Sequence, residues 1–207
     1  MQVQREAPLS PGAFLWRPGL SFQGLAIVRS GCVKLYEESA NGEERVLQFA
    51  FAGDLLGLEA LASQKYESHA VALGEVLICR LETPTGSGDH AVDARFYQRL
   101  LQQASRILQQ RMRLSRSGNP AVALLAFLEL LAERIGRPVE SNGRRHCDIQ
   151  LPMSRLEMGA YLGYAEETVC RTLLRLQQQG RLQVRGRRIL MEITPRSRAV
   201  AASTEPR

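Results

Sequence analysis

Residues 151–193 read LPMSRLEMGAYLGYAEETVCRTLLRLQQQGRLQVRGRRILMEI. Ser154 followed by Glu157 is a capping box, which starts a helix near Arg155. That helix is short, with Leu156, Met158 or Gly159, and Leu162 on its inner face. Gly163 permits a tight turn. A second helix is expected over about 166–179, with Val169, Leu173 and Leu176 inward and Gly180 as its stop. Two short helices joined by a glycine-containing turn have the arrangement of a helix-turn-helix. Beyond Gly180, LQV and RILMEI flank Arg185-Gly186-Arg187, a β-hairpin wing with Arg185, Arg187 and Arg188 near its tip.

The outer face of the second helix carries Glu167, Cys170, Arg171, Arg175 and Gln178. Arginine can donate two hydrogen bonds to guanine O6 and N7, and glutamate can accept from cytosine N4. Arg171 and Glu167 together could therefore read both members of one G·C pair. The other reading of this i,i+4 pair is a helix-stabilising ion pair worth about 0.2–0.5 kcal/mol. On the second helix of a helix-turn-helix, base readout is the reading adopted. Ser154, Arg155, Thr168, Arg175, Arg185, Arg187 and Arg188 are assigned to the DNA backbone, where contacts set affinity and register but not sequence.

Upstream, a helix is expected over about 121–135, followed by a loop rich in Gly, Pro, Ser and Asn. Before it, Leu101, Ala104, Leu108, Met112 and Ser115 recur at spacings of three and four, which gives one long amphipathic helix over 93–117. Its apolar seam either pairs with a second copy, making Leu101, Ala104, Leu108 and Met112 a dimer interface, or packs on the chain's own strands. Residues 83–89, TPTGSGD, read as a linker. Residues 13–81 read as short strands separated by turn signals, with Asn41-Gly42 marking a hairpin. The exception is 55–63, which looks helical.

Composition suits a polyanionic partner such as nucleic acid, or an anionic membrane surface. The 207 residues carry a net charge of +6, and Lys34 and Lys65 are the only lysines. The opening MQVQREAPLSPG has no apolar core of a signal peptide, and the longest apolar run, 121–132, is too short for a bilayer. A cytoplasmic protein without a membrane partner is expected, its four cysteines being free thiols. No P-loop, GxSxG, HExxH or dinucleotide fingerprint is present, so an enzyme is not expected.

The stretch SRLEMGAYLGYAEETVCRTLLRLQQQG closely resembles the helix-turn-helix of the Crp/Fnr regulators, the Fnr branch above all. GLAIVRSGCVKLY and LQFAFAGDLLGLEAL resemble the sensor domain of the same family. The resemblance covers roughly 13–193. It implies an α+β fold: a cyclic-nucleotide-binding-like β-roll (1–92), a long dimerisation helix (93–117), a winged helix-turn-helix (118–194) and a tail (195–207). It further implies a homodimeric transcription regulator on double-stranded DNA, with RNA polymerase as a further partner. The family's base-reading positions fall on Glu167, Cys170 and Arg171. The Fnr branch usually has serine where Cys170 stands, and reads a TTGAT-type half-site. Members that bind cyclic AMP hold its phosphate with an Arg-Ser pair, whereas here the stretch reads Glu67-Ser68-His69-Ala70. Fnr itself uses N-terminal cysteines plus one in the β-roll, which corresponds to Cys79. No cysteine precedes Cys32, and an iron–sulfur cluster needs about four ligands. Neither cyclic AMP nor an iron–sulfur cluster is expected, nor any other cofactor.

Three signal inputs stay open: none, thiol oxidation at Cys170, or haem or another small ligand in the β-roll. Nothing marks His69, His90 or His146 as an axial ligand. Outside regulation by DNA binding or by cyclic-nucleotide sensing, the rival reading is a protein-interaction module without specific DNA binding.

Overall fold

A computed structural model describes residues 3–5, 7–81, 94–115, 118–141 and 144–192. The linker 83–89, His90, Asp93, Gly143, residues 116–117 at the end of the range expected for the long helix, and everything from 193 onward lie outside the described residues. The chain divides into two compact units, Met1–Met112 and Arg113–Arg207.

The first unit contains strands β1 (Val3–Arg5), β2 (Phe14–Trp16), β3 (Leu25–Ser30), β4 (Cys32–Glu38), β5 (Glu44–Phe51) and β6 (Leu55–Leu56). After these come a single helical turn α1 (Ala60–Ser63), strands β7 (His69–Ala72) and β8 (Leu77–Leu81), and helix α2 (Ala94–Ser115), whose last three residues fall in the second unit. The strands form two antiparallel four-stranded sheets, ordered β1-β8-β3-β6 and β2-β7-β4-β5. Asn41-Gly42 does lie in the β4–β5 hairpin, with Glu38 paired to Glu44 and Gly42 at φ +77°. At the β3–β4 turn, Gly31 is required twice over: its φ is +85°, and a Cβ there would meet the Glu75 carbonyl oxygen at 2.4 Å. Trp16, Val28, Val33, Leu35, Leu56 and Ile78 fill the core between the sheets.

Two expectations for this unit are corrected. The segment 55–63 is not a helix: Leu55 and Leu56 pair with Ile27 and Ala26, Gly57 turns at φ +86°, and only one helical turn follows. Short-range pattern could not see the partner strand β3. Strand β1 also precedes the expected start at residue 13.

Helix α2 packs on the chain's own strands along one face. There Leu100 joins a cluster with Leu25, Leu55 and Leu81, the Gln103 amide donates to the Gly53 carbonyl at 3.3 Å, and Arg111 donates to that of Val46 at 3.4 Å. On the other, Leu101, Leu108 and Met112 are 72, 64 and 60% exposed, with Ala104 half-buried between them. No helix among the described residues is long and apolar enough to cross a membrane.

The second unit begins with α3 (Pro120–Ile135), then β9 (Arg137–Ser141), β10 (Arg144–Gln150), α4 (Arg155–Leu162), α5 (Glu166–Gln178), β11 (Leu182–Arg185) and β12 (Arg188–Glu192). Asn119 caps α3, its side-chain oxygen accepting from Ala121 N–H at 2.9 Å, and Pro120 occupies the first turn, where no donor is lost. The loop expected after α3 is in fact β9, at the edge of an antiparallel sheet ordered β11-β12-β10-β9. Pro138 argued against a strand, but an edge strand tolerates proline.

The inner face of α4 is also corrected. Met158, Gly159 and Tyr161 are buried, while Leu156 is 61% exposed and Leu162 half-buried. The Tyr161 ring meets Phe127 of α3, at 5.2 Å between centroids. In α5, Val169, Leu173 and Leu176 point inward as expected, joined by Thr172.

Gly159 and Gly163 are needed for different reasons, which substitution can separate. A Cβ at Gly159 would lie 2.4 Å from the Tyr164 carbonyl oxygen, so Gly159→Ala must push the turn apart, at about 1–3 kcal/mol. At Gly163 a Cβ meets nothing within 4 Å, but φ is +79°. Gly163→Ala should therefore cost about 1 kcal/mol, and Gly163→Asn less, because asparagine tolerates that conformation. Circular-dichroism melts of the three variants should rank Gly163→Asn above Gly163→Ala above Gly159→Ala.

Candidate nucleic-acid interface

The capping box is present in full. Glu157 N–H donates to the Ser154 hydroxyl at 3.1 Å, and Ser154 N–H donates to the Glu157 carboxylate at 2.7 Å. After α4, the Gly159 carbonyl accepts from both Gly163 N–H (2.8 Å) and Tyr164 N–H (2.9 Å), which closes the turn into α5. At the far end of α5 the Gln177 side-chain oxygen accepts from Val184 N–H at 2.8 Å, tying the helix to the first wing strand.

With one face of α5 buried, Glu167, Cys170, Arg171, Arg175 and Gln178 are exposed together, and Thr168 is half-buried. Glu167 and Arg171 form an ion pair, each side chain 72% exposed. An exposed pair of this kind adds little to stability, about 0.3–0.5 kcal/mol on a helix. It does hold a donor fork and an acceptor side by side on an open surface. Leu174, 56% exposed on the same face, was missed by pattern reading. Its spacing from Cys170, one helical turn, was the available signal.

The wing turn Arg185-Gly186-Arg187-Arg188 has Gly186 at φ +59° and is fastened to the start of the helix-turn-helix. Leu151 N–H donates to the Arg187 carbonyl at 2.9 Å. Arg155 donates to the Gly186 carbonyl at 2.9 Å, and Arg187 to that of Pro152 at 3.3 Å. Arg188 pairs with the Asp148 carboxylate. Burial lowers the Arg155 guanidinium from its ordinary value; the nearby Cys170 thiol opposes that shift and Arg187 adds to it. The fold thus brings Ser154, Arg155, Arg187 and Cys170 together beside the exposed face of α5. Leu101, Ala104, Leu108 and Met112 belong to the other unit, on α2.

Cys32, Cys79 and Cys147 are buried, and Cys170 is the exposed cysteine among the described residues. Burial, and then the neighbouring Asp148, push the Cys147 thiol up. His69 stacks on Tyr36 at 4.7 Å. No group of three or more His, Cys, Asp or Glu among the described residues is placed to hold a metal ion.

Comparison with known proteins matches residues 6–85 to the cyclic nucleotide-binding domain and residues 122–197 to the Crp-like helix-turn-helix domain. The chain is 30% identical to electron transport regulator A of Shewanella oneidensis, over 91% of this chain and 75% of that protein. It is also 30% identical to the fumarate and nitrate reduction regulatory protein of Escherichia coli, over 92% and 76%. Among solved structures, FixK2 from Bradyrhizobium japonicum shares the fold with a TM-score of 0.77 at 22% identity, covering 99% of this chain and 100% of that one. A CRP-family transcriptional regulator from Thermus thermophilus does so at 0.75 and 21%, covering 96% and 97%.

Exposure separates the thiols chemically. In the native protein iodoacetamide should modify Cys170 first, with Cys32, Cys79 and Cys147 reacting only on unfolding. Peptide mass spectrometry at short times reads this directly.

Proposed function

The chain belongs to the Crp/Fnr family of DNA-binding transcription regulators, and we propose that it binds an inverted-repeat, TTGAT-like site as a homodimer. In this reading Glu167 and Arg171 read a G·C pair in each half-site, and Cys170 faces the neighbouring position. The observation that carries it is the exposed, paired Glu167 and Arg171 on the open face of α5. Half-sites lie about one helical turn apart, matching the two-fold axis of a dimer. Ser154, Arg155, Thr168, Arg175, Arg185, Arg187 and Arg188 contribute on the backbone side, and RNA polymerase is the further partner of such a regulator.

The dimer interface is the exposed seam Leu101, Ala104, Leu108 and Met112 on α2. Functionally the chain divides into a β-roll (1–92), the dimerisation helix (93–117), the winged helix (118–194) and a tail. The reading needs no cofactor. At Ser68, where the family resemblance would place a cyclic phosphate, the buried hydroxyl donates to the Glu59 carboxylate at 3.2 Å. Glu67 stands where the pair that holds such a phosphate has its arginine, so the residues at this point do not suit a cyclic nucleotide. An iron–sulfur cluster needs about four ligands, and the reading gives it no role; Cys79, at the position of the family's β-roll cysteine, is buried. Cys170 is the position at which oxidation would act, since a sulfenate or larger adduct would stand on the DNA-reading face.

Fluorescence anisotropy on a duplex with the intact inverted repeat, against one with the G·C pair of each half-site swapped, tests the readout. The intact site should bind at least about tenfold more tightly, and Arg171→Ala should remove most of that preference, since one bidentate pair gives about 1–3 kcal/mol. Equal binding to the two duplexes sinks the assignment. For the dimer, Leu108→Glu should shift sedimentation from dimer to monomer and weaken binding to the full repeat. A variant that sediments like the wild type excludes this seam.

A further inference from the structure

The arginines of the wing are not equivalent, and the difference lies in one carboxylate. In the sheet of the second unit, Cys147, Ile149, Ile189 and Met191 are buried on one face. Strand alternation then places Asp148, Arg188 and Arg185 together on the other. Asp148 sits on β10, its side chain 15% exposed, and Arg188 reaches it diagonally from β12. The guanidinium is engaged side-on: Nε donates to Oδ1 at 3.3 Å and Nη2 donates to Oδ2. Arg137 of β9 is the register partner of Asp148 on its other side.

We propose that Asp148 is a positioning residue of the DNA-binding wing, its carboxylate holding the Arg188 fork so that the remaining N–H groups face a phosphate. This rests on the DNA reading above. A carboxylate among arginines on a DNA-binding surface repels phosphate, so through charge alone it would weaken binding. Held in a two-point fork, however, Arg188 has already lost the rotamer freedom that docking would otherwise remove. The anchor is suited to this, since Asp148 lies within a central strand, with β9 on one side and β12 on the other. The hydrogen bond from Arg188 keeps its carboxyl below the usual carboxylate range, so the fork persists through neutral pH. Arg185, by contrast, is exposed with no hydrogen bond or ion pair holding its side chain among the described residues. Nothing among the described residues directs that charge.

The two roles of Asp148 predict opposite signs. Anisotropy titrations of the full chain on the intact inverted repeat, across a salt series, would compare the wild type with Asp148→Asn, Arg188→Lys, Arg188→Ala and the double variant Asp148→Asn/Arg188→Ala. Positioning predicts that Asp148→Asn binds about three- to tenfold more weakly although it removes a negative charge, and that the salt slope falls by about one phosphate contact. Arg188→Lys should lose a similar factor, because lysine keeps the charge without the fork. The double variant should bind no more weakly than Arg188→Ala. Unchanged or tighter binding by Asp148→Asn overturns the proposal, as does additive loss in the double variant. If melting shows that Asp148→Asn does not fold, wild-type affinity in Arg188→Lys overturns it instead. A wild-type protein that binds no duplex removes the DNA reading as well, whereas wild-type binding with an indifferent Asp148→Asn removes this proposal alone.

Discussion

Where α4 turns into α5, the Tyr164 carbonyl stands so close to Gly159 that no side chain larger than hydrogen fits without moving backbone. The Gly159 carbonyl in turn accepts two N–H groups from the turn itself. This contact sets the spacing and direction of the second helix. With that direction given, Val169, Thr172, Leu173 and Leu176 reach the core, and Glu167, Cys170, Arg171, Leu174 and Arg175 are left in the open. The chemistry of the exposed face therefore depends on a glycine that never touches it.

The basic charge of the second unit is organised in the same way, by backbone and carboxylate groups rather than by charge density. Arg155 and Arg187 cross between the wing and the start of the helix-turn-helix, each donating to a carbonyl on the other side, and Arg188 is gripped by Asp148. The hairpin tip has little core of its own. These bonds make it part of a rigid surface instead of a loose loop, and a preformed surface loses less freedom on association.

Helix α2 carries apolar side chains on more than one face. The apolar seam at residues 101–112 was legible either as a pairing face or as a face packed on the strands, without saying which residues face where. Leu100 packs on the strands, while Leu101, Leu108 and Met112 remain on the outside. A helix exposing large apolar side chains along one stripe is unfavourable in water unless something covers it.

What the sequence by itself determined was local: the capping box at Ser154, the glycine turn at Gly163, the inward triad of α5, the Asn41-Gly42 hairpin and the exposed Glu167 and Arg171. Each depends on residues within a few positions of one another, where side-chain spacing and backbone preference act directly. Tertiary structure decided what depends on a distant partner. Residues 55–56 are a strand because β3 lies beside them, and 137–141 are a strand because β10 does, despite Pro138. Leu156 faces out and Tyr161 in because Phe127 of another helix occupies the inner side. The pairing of Asp148 with Arg188, forty positions apart, exists only because two strands bring them to the same face, and no periodicity in the chain encodes that distance.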